Sequence, residues 1–412
     1  MSLNDPLSVP GGTDQPDPVP ELNCRVSDSL RDVPADAWNA LAGNEQPFLR
    51  HEFLFALETT GCVGEDAGWH PRHLQFYAGK DLVAVVPMYL KTHSYGEFVF
   101  DWAWAEAYAR AGFDYYPKLV SAIPFTPVSG PRILLADGAD ASLRRVIAAA
   151  SLQVTEKMNA SSVHWLFTDD RDRQALETAG LLLRSGFQFH WRNTGFRDFH
   201  DYLESLRSKK RKQIRRERRE AAEAGLEIEL RHGTEISDAQ CDAYHQLYSA
   251  TYDRKWGYPS LSREFFHQAR RALGDALILI LAKNRGRYVA GAHLFRGARS
   301  LYGRNWGCSE YHRSLHFEMC YYRAIEYCID QGLETFEAGA QGEHKLSRGF
   351  LPVMTYSAHG VLHPEFRRAI GDFTRREHIE VGRYIGAMAA HSPYRSGIIG
   401  ERDSAQLPRV KV

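Results

Sequence analysis

Short apolar runs separated by turn residues form the first ordered part of this chain. Residues 72–78 and 82–90 have the length and composition of strands on either side of a glycine-containing turn, and we predict a further strand near Phe98. The period of the apolar positions then predicts an amphipathic helix at 143–158, before a short apolar strand at 163–167. The pattern is typical of a β-meander that leads into a helix and another strand.

The same order of elements returns later in the chain. Strand-like runs at 277–282, 288–296 and 300–305 precede an amphipathic helix at 317–330 and a short strand at 334–337. The two copies share an order of elements rather than a literal sequence. The repeat is therefore structural and predicts two similar domains.

A meander that feeds a helix and a neighbouring strand is the layout of an acetyltransferase-like protein. We therefore predict an α/β fold, more closely α+β with a mixed sheet, made of two tandem GNAT-like (acyl-CoA N-acyltransferase-like) domains. A chain of 412 residues also exceeds the usual size of one hydrophobic core. The predicted parts are a disordered tail at 1–22, a first domain at 23–192 with an insertion at 101–136, a second domain at 193–390 that begins with a basic helix, and a C-terminal tail at 391–412.

Composition excludes several classes of protein. Lys plus Arg equals Asp plus Glu, 51 of each, so whole-chain charge favours neither a nucleic-acid coat nor a membrane-surface protein. No apolar run approaches the roughly 20 residues that span a bilayer, and the start of the chain lacks a secretory signal. The six cysteines form no Cys-x-x-Cys pair and are typical of buried thiols in a reducing cytoplasm. We therefore predict a cytoplasmic protein without a transmembrane segment.

Positive charge is concentrated between the two predicted domains. Nine of the thirteen residues at 207–219 are Lys or Arg, and Glu217 is the one acidic residue among them. An apolar stripe over 202–222 predicts a single amphipathic helix that presents a cationic ridge. We assign Arg211 and Arg215 of this ridge to the anionic parts of a substrate. The alternative is a charged helix face that contacts only solvent.

The most unusual segment is the glycine-rich loop at 339–349, between two strand-like runs. Glycine lets the backbone approach a ligand, and the acidic, imidazole and cationic side chains here supply an acid, a base and an oxyanion partner. The candidate catalytic residues are Glu343, His344, Lys345 and Arg348, with Gln341 orienting the substrate. The alternative is an ordinary polar turn.

Further candidate substrate contacts come from the insertion at 101–136 and from the second meander. The insertion is dense in aromatics, prolines and glycines, which is typical of rigid loops that line a pocket, although a packed aromatic subcore has the same composition. The candidate contacts are Trp102, Tyr116, Lys118, Arg132, Arg304 and Trp306.

The segment at 308–316 enters the predicted second-domain helix where acetyltransferase folds bind the coenzyme A pyrophosphate. Arg313, Ser314 and His316 are the candidate cofactor-binding residues, although the usual glycine pattern is missing. His312 and His316 have a spacing that zinc sites use, but no further ligand stands at an established spacing, so we predict no metal. The sequence also holds no Gly-x-Ser-x-Gly elbow and no phosphate-binding Gly-Lys-Ser/Thr loop.

Several separated motifs resemble one family. Residues 206–217 resemble the Ser-Lys-x-x-Arg-x-x-Ile-Arg-Lys segment of Fem-type aminoacyltransferases, which extend the stem peptide of peptidoglycan precursors. The segments 113–119, 124–127, 188–191 and 339–350 look like a Fem-related bacterial family labelled peptidoglycan biosynthesis/recognition. The resemblance implies tandem acetyltransferase-like domains and transfer of an acyl or aminoacyl group to an amine. Fem-type enzymes also carry a lysine just ahead of a Gly-Phe pair; here Lys345 and Arg348 precede Gly349-Phe350.

These observations favour an N-acyltransferase without a tightly bound cofactor. Its co-substrate would be an acyl-CoA or an aminoacyl-tRNA, and its acceptor a small-molecule or peptide amine with anionic groups, such as a peptidoglycan-related precursor. Two alternatives stay open. One is a noncatalytic module that recognises a phosphorylated glycan precursor or a membrane-surface partner. The other is RNA binding through the ridge, which has no aromatic residues for base stacking.

Overall fold

The computed structural model describes residues 2–3, 22–136, 138–139, 141–253, 259–340 and 342–395. Most of the predicted N-terminal tail, the C-terminal tail beyond residue 395, and the candidate residue Gln341 lie outside these ranges.

Sixteen strands lie within the described ranges. In chain order they are β1 (Ser2–Leu3), β2 (Leu22–Ser27), β3 (Trp69–Pro71), β4 (His73–Ala78), β5 (Asp81–Val86), β6 (Tyr89–Lys91), β7 (Lys118–Ser121), β8 (Leu134–Leu135), β9 (Ser162–Leu166), β10 (Leu182–Arg192), β11 (Glu227–His232), β12 (Leu277–Asn284), β13 (Arg287–Arg296), β14 (Ser300–Cys308), β15 (Thr335–Glu337) and β16 (Leu351–Val361).

Helices lie between and beside these strands. In chain order they are α1 (Ala35–Ala42), α2 (His51–Thr59), α3 (Trp102–Arg110), α4 (Ala141–Lys157), α5 (Asp170–Thr178), α6 (Phe199–Ser205), α7 (Ser208–Glu223), α8 (Asp238–Asp253), α9 (Arg263–Leu273), α10 (Leu315–Phe317), α11 (Arg323–Asp330) and α12 (Pro364–Ala390). A π-helical turn, Glu318–Tyr322, joins α10 to α11, and a 3₁₀ turn covers Glu343–Arg348.

The chain divides into two compact units. Unit 1 contains residues 1–43, 48–186 and 355–379, and unit 2 contains 44–47, 187–354 and 380–412. The divisions fall inside β10, β16 and α12. The domain limits proposed from sequence, 23–192 and 193–390, stay a prediction about which pieces fold independently.

Unit 1 holds one antiparallel sheet and a second set of strands with mixed directions. The first sheet has the order β1-β2-β4-β5-β8, and the second set runs β16-β9-β7-β6-β3. Among the described strands of this unit, β7 and β9 are the parallel pair, through Leu119–Ser121 and Val163–Trp165, because α4 forms the crossover between them. Apolar residues from both sets of strands and from α4 form the buried core of this unit.

Unit 2 has the strand order β11-β12-β13-β14-β15-β10. β12 is a continuous apolar run whose first six residues are buried, as expected for a central strand covered on both faces. β14 and β15 pair in parallel because the helix from α10 to α11 connects them, and the other neighbours are antiparallel. The mixed α/β fold predicted from sequence is therefore confirmed in both units.

Two predictions about the first repeat are wrong. No strand forms near Phe98, which has φ of 60° in the connection between β6 and α3. The segment 101–136 is not a system of loops, because it contains α3, β7 and β8. The aromatic and proline content of this segment suggested loops, but the segment contains a core strand: β7 is four residues long and fully buried.

The ridge forms a shorter helix than the apolar stripe predicts. The chain is helical over α6 and again over α7, and the break falls at Leu206 and Arg207, whose backbones are extended. Leu206 is fully buried, and it belongs to the same apolar core as Tyr202 and Ile214. The apolar stripe therefore exists, but its residues belong to two helices, α6 and α7, rather than to one.

Two further predictions concern membranes and thiols. Within the described ranges, no helix has both the length and the apolar character needed to cross a bilayer. All six cysteines are unbridged, and Cys24, Cys62, Cys241 and Cys328 are buried.

Candidate active site

Two neighbouring parallel strands of unit 2 separate after a short contact. β14 and β15 are in register only from Ser300 to Tyr302 and from Thr335 to Glu337. β15 ends there, whereas β14 continues to Cys308, so the later part of β14 has lost its neighbour on that side. Ligands of open α/β sheets bind in such crevices at the carboxyl ends of strands. The opening between these strands is therefore the candidate place for a substrate.

A β-bulge lies on the edge of this opening. His293 of β13 is opposite Asn305 of β14, but the next residue, Leu294, is opposite Gly303, so Arg304 is the extra residue. A bulge disturbs the ladder locally and re-aims side chains, and bulges are frequent beside active sites. Arg304 is thereby placed at the opening.

A cavity of about 80 Å³ occupies this opening. The residues that line it are Ala292, His293, Leu294, Gly303, Arg304, Asn305, Trp306, His316, Cys320, Tyr321 and Ala338. Three sequence candidates, Arg304, Trp306 and His316, are therefore brought together here. The Trp306 and His316 rings are 5.3 Å apart, nearly perpendicular to each other.

Burial strongly affects the ionisable groups around the cavity. His293 is 1% exposed, neither ring nitrogen has a hydrogen-bond partner among the described residues, and burial lowers its pKa to about 3. Burial also lowers the pKa of His316 to about 4 and that of Arg304 to about 10. At neutral pH the cavity therefore holds uncharged imidazoles beside one guanidinium cation.

The helix beneath the cavity carries the π-helical turn Glu318–Tyr322. Such turns add one residue to a helix and often mark functional sites. Here Cys320 and Tyr321 line the cavity, whereas the next residue, Tyr322, contacts Glu217 of α7. The two consecutive tyrosines therefore have different neighbours: Tyr321 lines the cavity, and Tyr322 contacts α7.

The glycine-rich loop begins where β15 ends. Gly339 and Gly342 have φ of 81° and 117°, values that favour glycine, and they lead the chain into the 3₁₀ turn Glu343–Arg348. This turn buries Lys345, which is 2% exposed and donates a hydrogen bond of 2.6 Å to the Gly339 carbonyl. Burial lowers the pKa of Lys345 to about 8. Lys345 is thus a desolvated amine whose charge is easily changed.

His344 and Glu343 face different neighbours. The His344 Nε2 lies 2.9 Å from the Tyr321 hydroxyl, which places its ring beside the cavity. Partial burial, together with the charges of Arg348 and Lys345, lowers the pKa of His344, so this imidazole is neutral near pH 7. The Glu343 carboxylate instead accepts a 2.5 Å hydrogen bond from the Tyr384 hydroxyl. Of the two predicted bases, His344 is the one connected to the cavity lining.

Arg348 is used entirely to hold the loop in place. Its guanidinium forms bonds of 3.0 and 2.9 Å to the two carboxylate oxygens of Glu217, and it also donates to the Tyr322 hydroxyl and the His344 carbonyl. It lies 3.5 Å from the centre of the Phe317 ring and is 2% exposed. A guanidinium so fully engaged has no donor left for an oxyanion. Arg348 is therefore a positioning residue, and Lys345 stays the candidate cation of the loop.

We expect Gly349→Ala to destabilise unit 2 by about 2 kcal/mol or more in urea unfolding. Gly349 has φ of 86°, and an added Cβ would lie 2.7 Å from the Tyr394 hydroxyl and 2.8 Å from the Tyr202 hydroxyl. Gly195→Ala is the matched control, because Gly195 has φ of 93° but no atom near the added carbon. Equal losses in the two variants would contradict a steric role for these hydroxyls.

The candidate substrate contacts from the first repeat belong to unit 1, whereas the glycine-rich loop belongs to unit 2. Lys118 is fully buried and ion-paired with Glu97, 2.8 Å away, and with Asp101. Arg132 is also fully buried, because its guanidinium donates to four backbone carbonyls. Neither side chain presents a donor to a substrate, so the structure does not support their assignment as substrate contacts.

Tyr116 and Trp102 have different environments. The Tyr116 hydroxyl is 2.9 Å from Ser94 Oγ in the layer around Lys118. Trp102 is 41% exposed at the start of α3, with its ring 4.9 Å from that of Tyr95. Trp102 is therefore the aromatic candidate of unit 1 that a partner can reach most directly.

Ion pairs neutralise several cations of the ridge on α7. Arg211 and Arg215 both bind Glu204, at 2.8 and 3.2 Å, so neither candidate is an unpaired cation. Arg218 binds Glu318 and Glu326. Across the part of the chain that the structure describes, four cations of α7 form no ion pair: Lys209, Lys210, Lys212 and Arg219. These four are better candidates for phosphate contacts.

A carboxylate lies where coenzyme A phosphates were expected to bind. Glu220 of α7 accepts a 2.7 Å hydrogen bond from Ser314 Oγ and lies 3.3 Å from Arg313 Nε. Two of the three predicted cofactor contacts are therefore bound to an anion of the protein itself. The third, His316, faces the cavity.

Sequence reasoning missed several residues of the site. Tyr321, Cys320 and His293 appeared only as members of apolar runs, and nothing in their local pattern marks the cavity. Glu217 did carry a signal, since it is the one acidic residue among nine ridge cations and is 5% exposed. A lone acid in a basic helix indicates a specific cationic partner.

The meander–helix–strand order occurs in tandem, as in GNAT-like proteins, and the chain is an acyltransferase of this fold. A family profile described as FemAB-like, peptidoglycan biosynthesis/recognition, matches residues 29–396. The chain belongs to this family. A comparison with curated proteins finds no match.

Solved structures share the fold at low sequence identity. The crystal structure of FemX is 11% identical with a TM-score of 0.52, covering 82% of this chain and 97% of that one. A domain described as the C-terminal part of a lysylphosphatidylglycerol synthetase from Agrobacterium fabrum is 9% identical with a TM-score of 0.51, covering 82% and 95%. At such identities the likeness establishes the fold alone.

Proposed function

We propose that this protein transfers an acyl or aminoacyl group from an activated ester or thioester to the amine of a peptidoglycan-related precursor. The observation that carries the proposal is the buried Lys345 of the glycine-rich loop, with its pKa lowered to about 8, next to His344, which contacts Tyr321 of the cavity lining. The description of the family supports the choice of acceptor, because it names peptidoglycan biosynthesis/recognition.

The reaction needs no nucleophilic side chain. The acceptor nitrogen attacks the donor carbonyl carbon, a C–N bond forms, and the C–O or C–S bond to the carrier breaks. The Lys345 ammonium stabilises the negative charge that develops on the carbonyl oxygen, a contribution of about 10²- to 10³-fold in rate for one such donor. The carrier leaves as an alcohol or a thiol.

His344 is the proposed acceptor of the proton that the amine loses. Its ring is neutral near pH 7 because its pKa is lowered, and its Nε2 lies 2.9 Å from the Tyr321 hydroxyl at the cavity. A neutral imidazole is a suitable general base at this pH. Glu343 is the less suitable candidate, because it is held by Tyr384.

The carrier is proposed to be a transfer RNA rather than coenzyme A. Glu220 binds Ser314 and Arg313 at the entrance to the helix that would bind the coenzyme's pyrophosphate, so these two side chains are already engaged. The four unpaired cations of α7 supply contacts for a phosphate backbone. A carrier bound by its backbone through α7 therefore fits better than one bound by a diphosphate at α10.

Native mass spectrometry and thermal shift with parallel additions of acetyl-CoA, longer acyl-CoAs and a charged tRNA pool test this proposal. We expect stabilisation by charged tRNA and none by the acyl-CoAs. Glu220→Gln should restore some acyl-CoA stabilisation by releasing Arg313 from its ion pair, whereas Glu223→Gln on the same helix should not. Strong stabilisation of the unaltered protein by acyl-CoA would overturn the choice of carrier. If every donor fails to yield a product while a glycan precursor still binds, the protein is a recognition module.

A further inference from the structure

Exposed aromatic side chains are concentrated in one segment of unit 1. Seven large hydrophobic residues are exposed in the described ranges, and four belong to the connection between β6 and the first residue of α3. These four are Tyr95 (68% exposed), Phe98 (40%), Phe100 (57%) and Trp102 (41%). Single exposed apolar residues need no explanation, but a cluster of aromatic residues marks an interaction surface. We name the segment 92–102 the aromatic loop.

Buried polar contacts fix the shape of the aromatic loop. Next to the aromatic positions, Ser94, Glu97 and Asp101 surround the Lys118 ammonium, with 2.8 Å bonds to Ser94 Oγ and Glu97 Oε2. These three side chains and Lys118 are each less than 5% exposed. Phe98 is also held at φ of 60°, a conformation that bulky residues rarely adopt. The loop is therefore preorganised, so that little further ordering is needed when its aromatic side chains meet a partner.

Within the described residues, the charged side chains that contact the aromatic loop are paired or buried. Glu97 and Asp101 pair with Lys118, and Lys91 is buried and donates to the Tyr95 carbonyl. Arg184 donates to the Phe100 carbonyl and pairs with Glu377 at 2.7 Å, and Glu106 pairs with Arg110 on α3 at 3.5 Å. A charged partner would gain nothing from this face. The carboxylates of this segment bind Lys118 and are therefore directed away from the hydroxyls of any bound sugar chain. An uncharged mixture of Tyr, Trp and Phe instead matches the boundary between lipid headgroups and acyl chains.

We propose that the aromatic loop docks this protein on the surface of a lipid bilayer, with Phe98 and Phe100 entering the acyl boundary and Tyr95 and Trp102 lying among the headgroups. The chemistry of this contact is apolar and does not involve the cationic ridge of α7. It also does not depend on the proposed transfer reaction. The contact is peripheral, because the loop offers four side chains rather than a spanning helix.

Sedimentation with vesicles tests the proposal on the full chain. We expect binding to vesicles of phosphatidylcholine alone, with little change on adding salt, because apolar contacts are not screened. Phe98→Asn with Phe100→Ser should lower the partition coefficient about tenfold or more. Asparagine is chosen at 98 because it tolerates positive φ. Tyr311→Ser is the matched control, since Tyr311 is 88% exposed in unit 2 and should leave binding unchanged.

A second measurement locates the contact. Quenching of tryptophan fluorescence by brominated phosphatidylcholine is expected in the unaltered protein and should be lost in Trp102→Phe. Absence of binding to neutral vesicles would overturn the proposal. Binding that requires phosphatidylglycerol, is lost in salt and persists in the Phe98→Asn, Phe100→Ser variant would also overturn the proposal, because α7 would then be the part that attaches to the vesicle. A concentration-dependent dimer that the double change abolishes would assign the loop to a second copy of the chain instead.

Discussion

Lys345→Met should lower kcat by about 10²- to 10³-fold, the usual effect of removing one oxyanion donor. Lys345 is the cation that the glycine-rich loop leaves available, because Arg348 is bound to Glu217. The substitution should change stability little, since a methionine of similar length removes a buried charge that opposes folding but also removes the hydrogen bond to the Gly339 carbonyl. Turnover with the donor identified in the thermal-shift experiment, measured beside urea unfolding, checks both expectations.

The pH dependence gives a second test of the same residue. The charged amine is the proposed form, and its pKa is lowered to about 8, so activity should fall as the pH rises through about 8. Stability should respond in the opposite sense. The unfolded lysine keeps its proton up to its ordinary pKa of 10.5, so between about pH 8 and that value the unfolded state binds more protons and the lysine's contribution to stability rises with pH. Near-full turnover of Lys345→Met, or a rate that rises above pH 8, would remove Lys345 from the mechanism.

Glu217→Gln should lower the free energy of unfolding by about 3 kcal/mol or more, because it leaves the Arg348 cation buried without its counter-charge. The two side chains are 7% and 3% exposed, so water cannot replace the lost partner. Activity should also fall, because Arg348 holds the His344 carbonyl at 2.8 Å. Urea unfolding monitored by circular dichroism measures the first effect.

Glu223→Gln is the control for this change, because Glu223 lies on the same helix but is exposed. It should alter stability by less than about 0.5 kcal/mol. Adding Arg348→Met to Glu217→Gln should recover part of the loss, since the uncompensated charge is then gone. If Glu217→Gln unfolds like the unaltered protein, the ion pair does not hold the loop.

The sequence was informative where chemistry was local. The glycine-rich loop, with Lys345 and His344 in it, stood out because one short segment combined backbone freedom with ionisable side chains. The two meanders were recognisable because strand periodicity and turn residues are read over a few positions. In the second repeat, the predicted run at 277–282 lies within the observed β12.

Long-range contacts explain what the sequence left undecided. Arg348 and Lys345 looked equivalent within the loop, and only Glu217, 131 positions away, separates their roles. Arg132 looked like a substrate contact because its sequence neighbours are prolines and glycines, yet the carbonyl of Leu166 is among the groups that bind it. A charged side chain in a sequence does not reveal whether its partner is solvent, substrate or another part of the protein.

The order in which the chain supplies unit 1 affects how the protein is made. β9, at 162–166, pairs with residues 357–361 of β16, and His164 lies against His359 across 195 positions. A ribosome must therefore make the chain through at least residue 357 before β9 can acquire this neighbour. Unit 1 cannot complete its folding during synthesis of the N-terminal half, and an incomplete chain presents the open edge of β9 to other proteins and to chaperones.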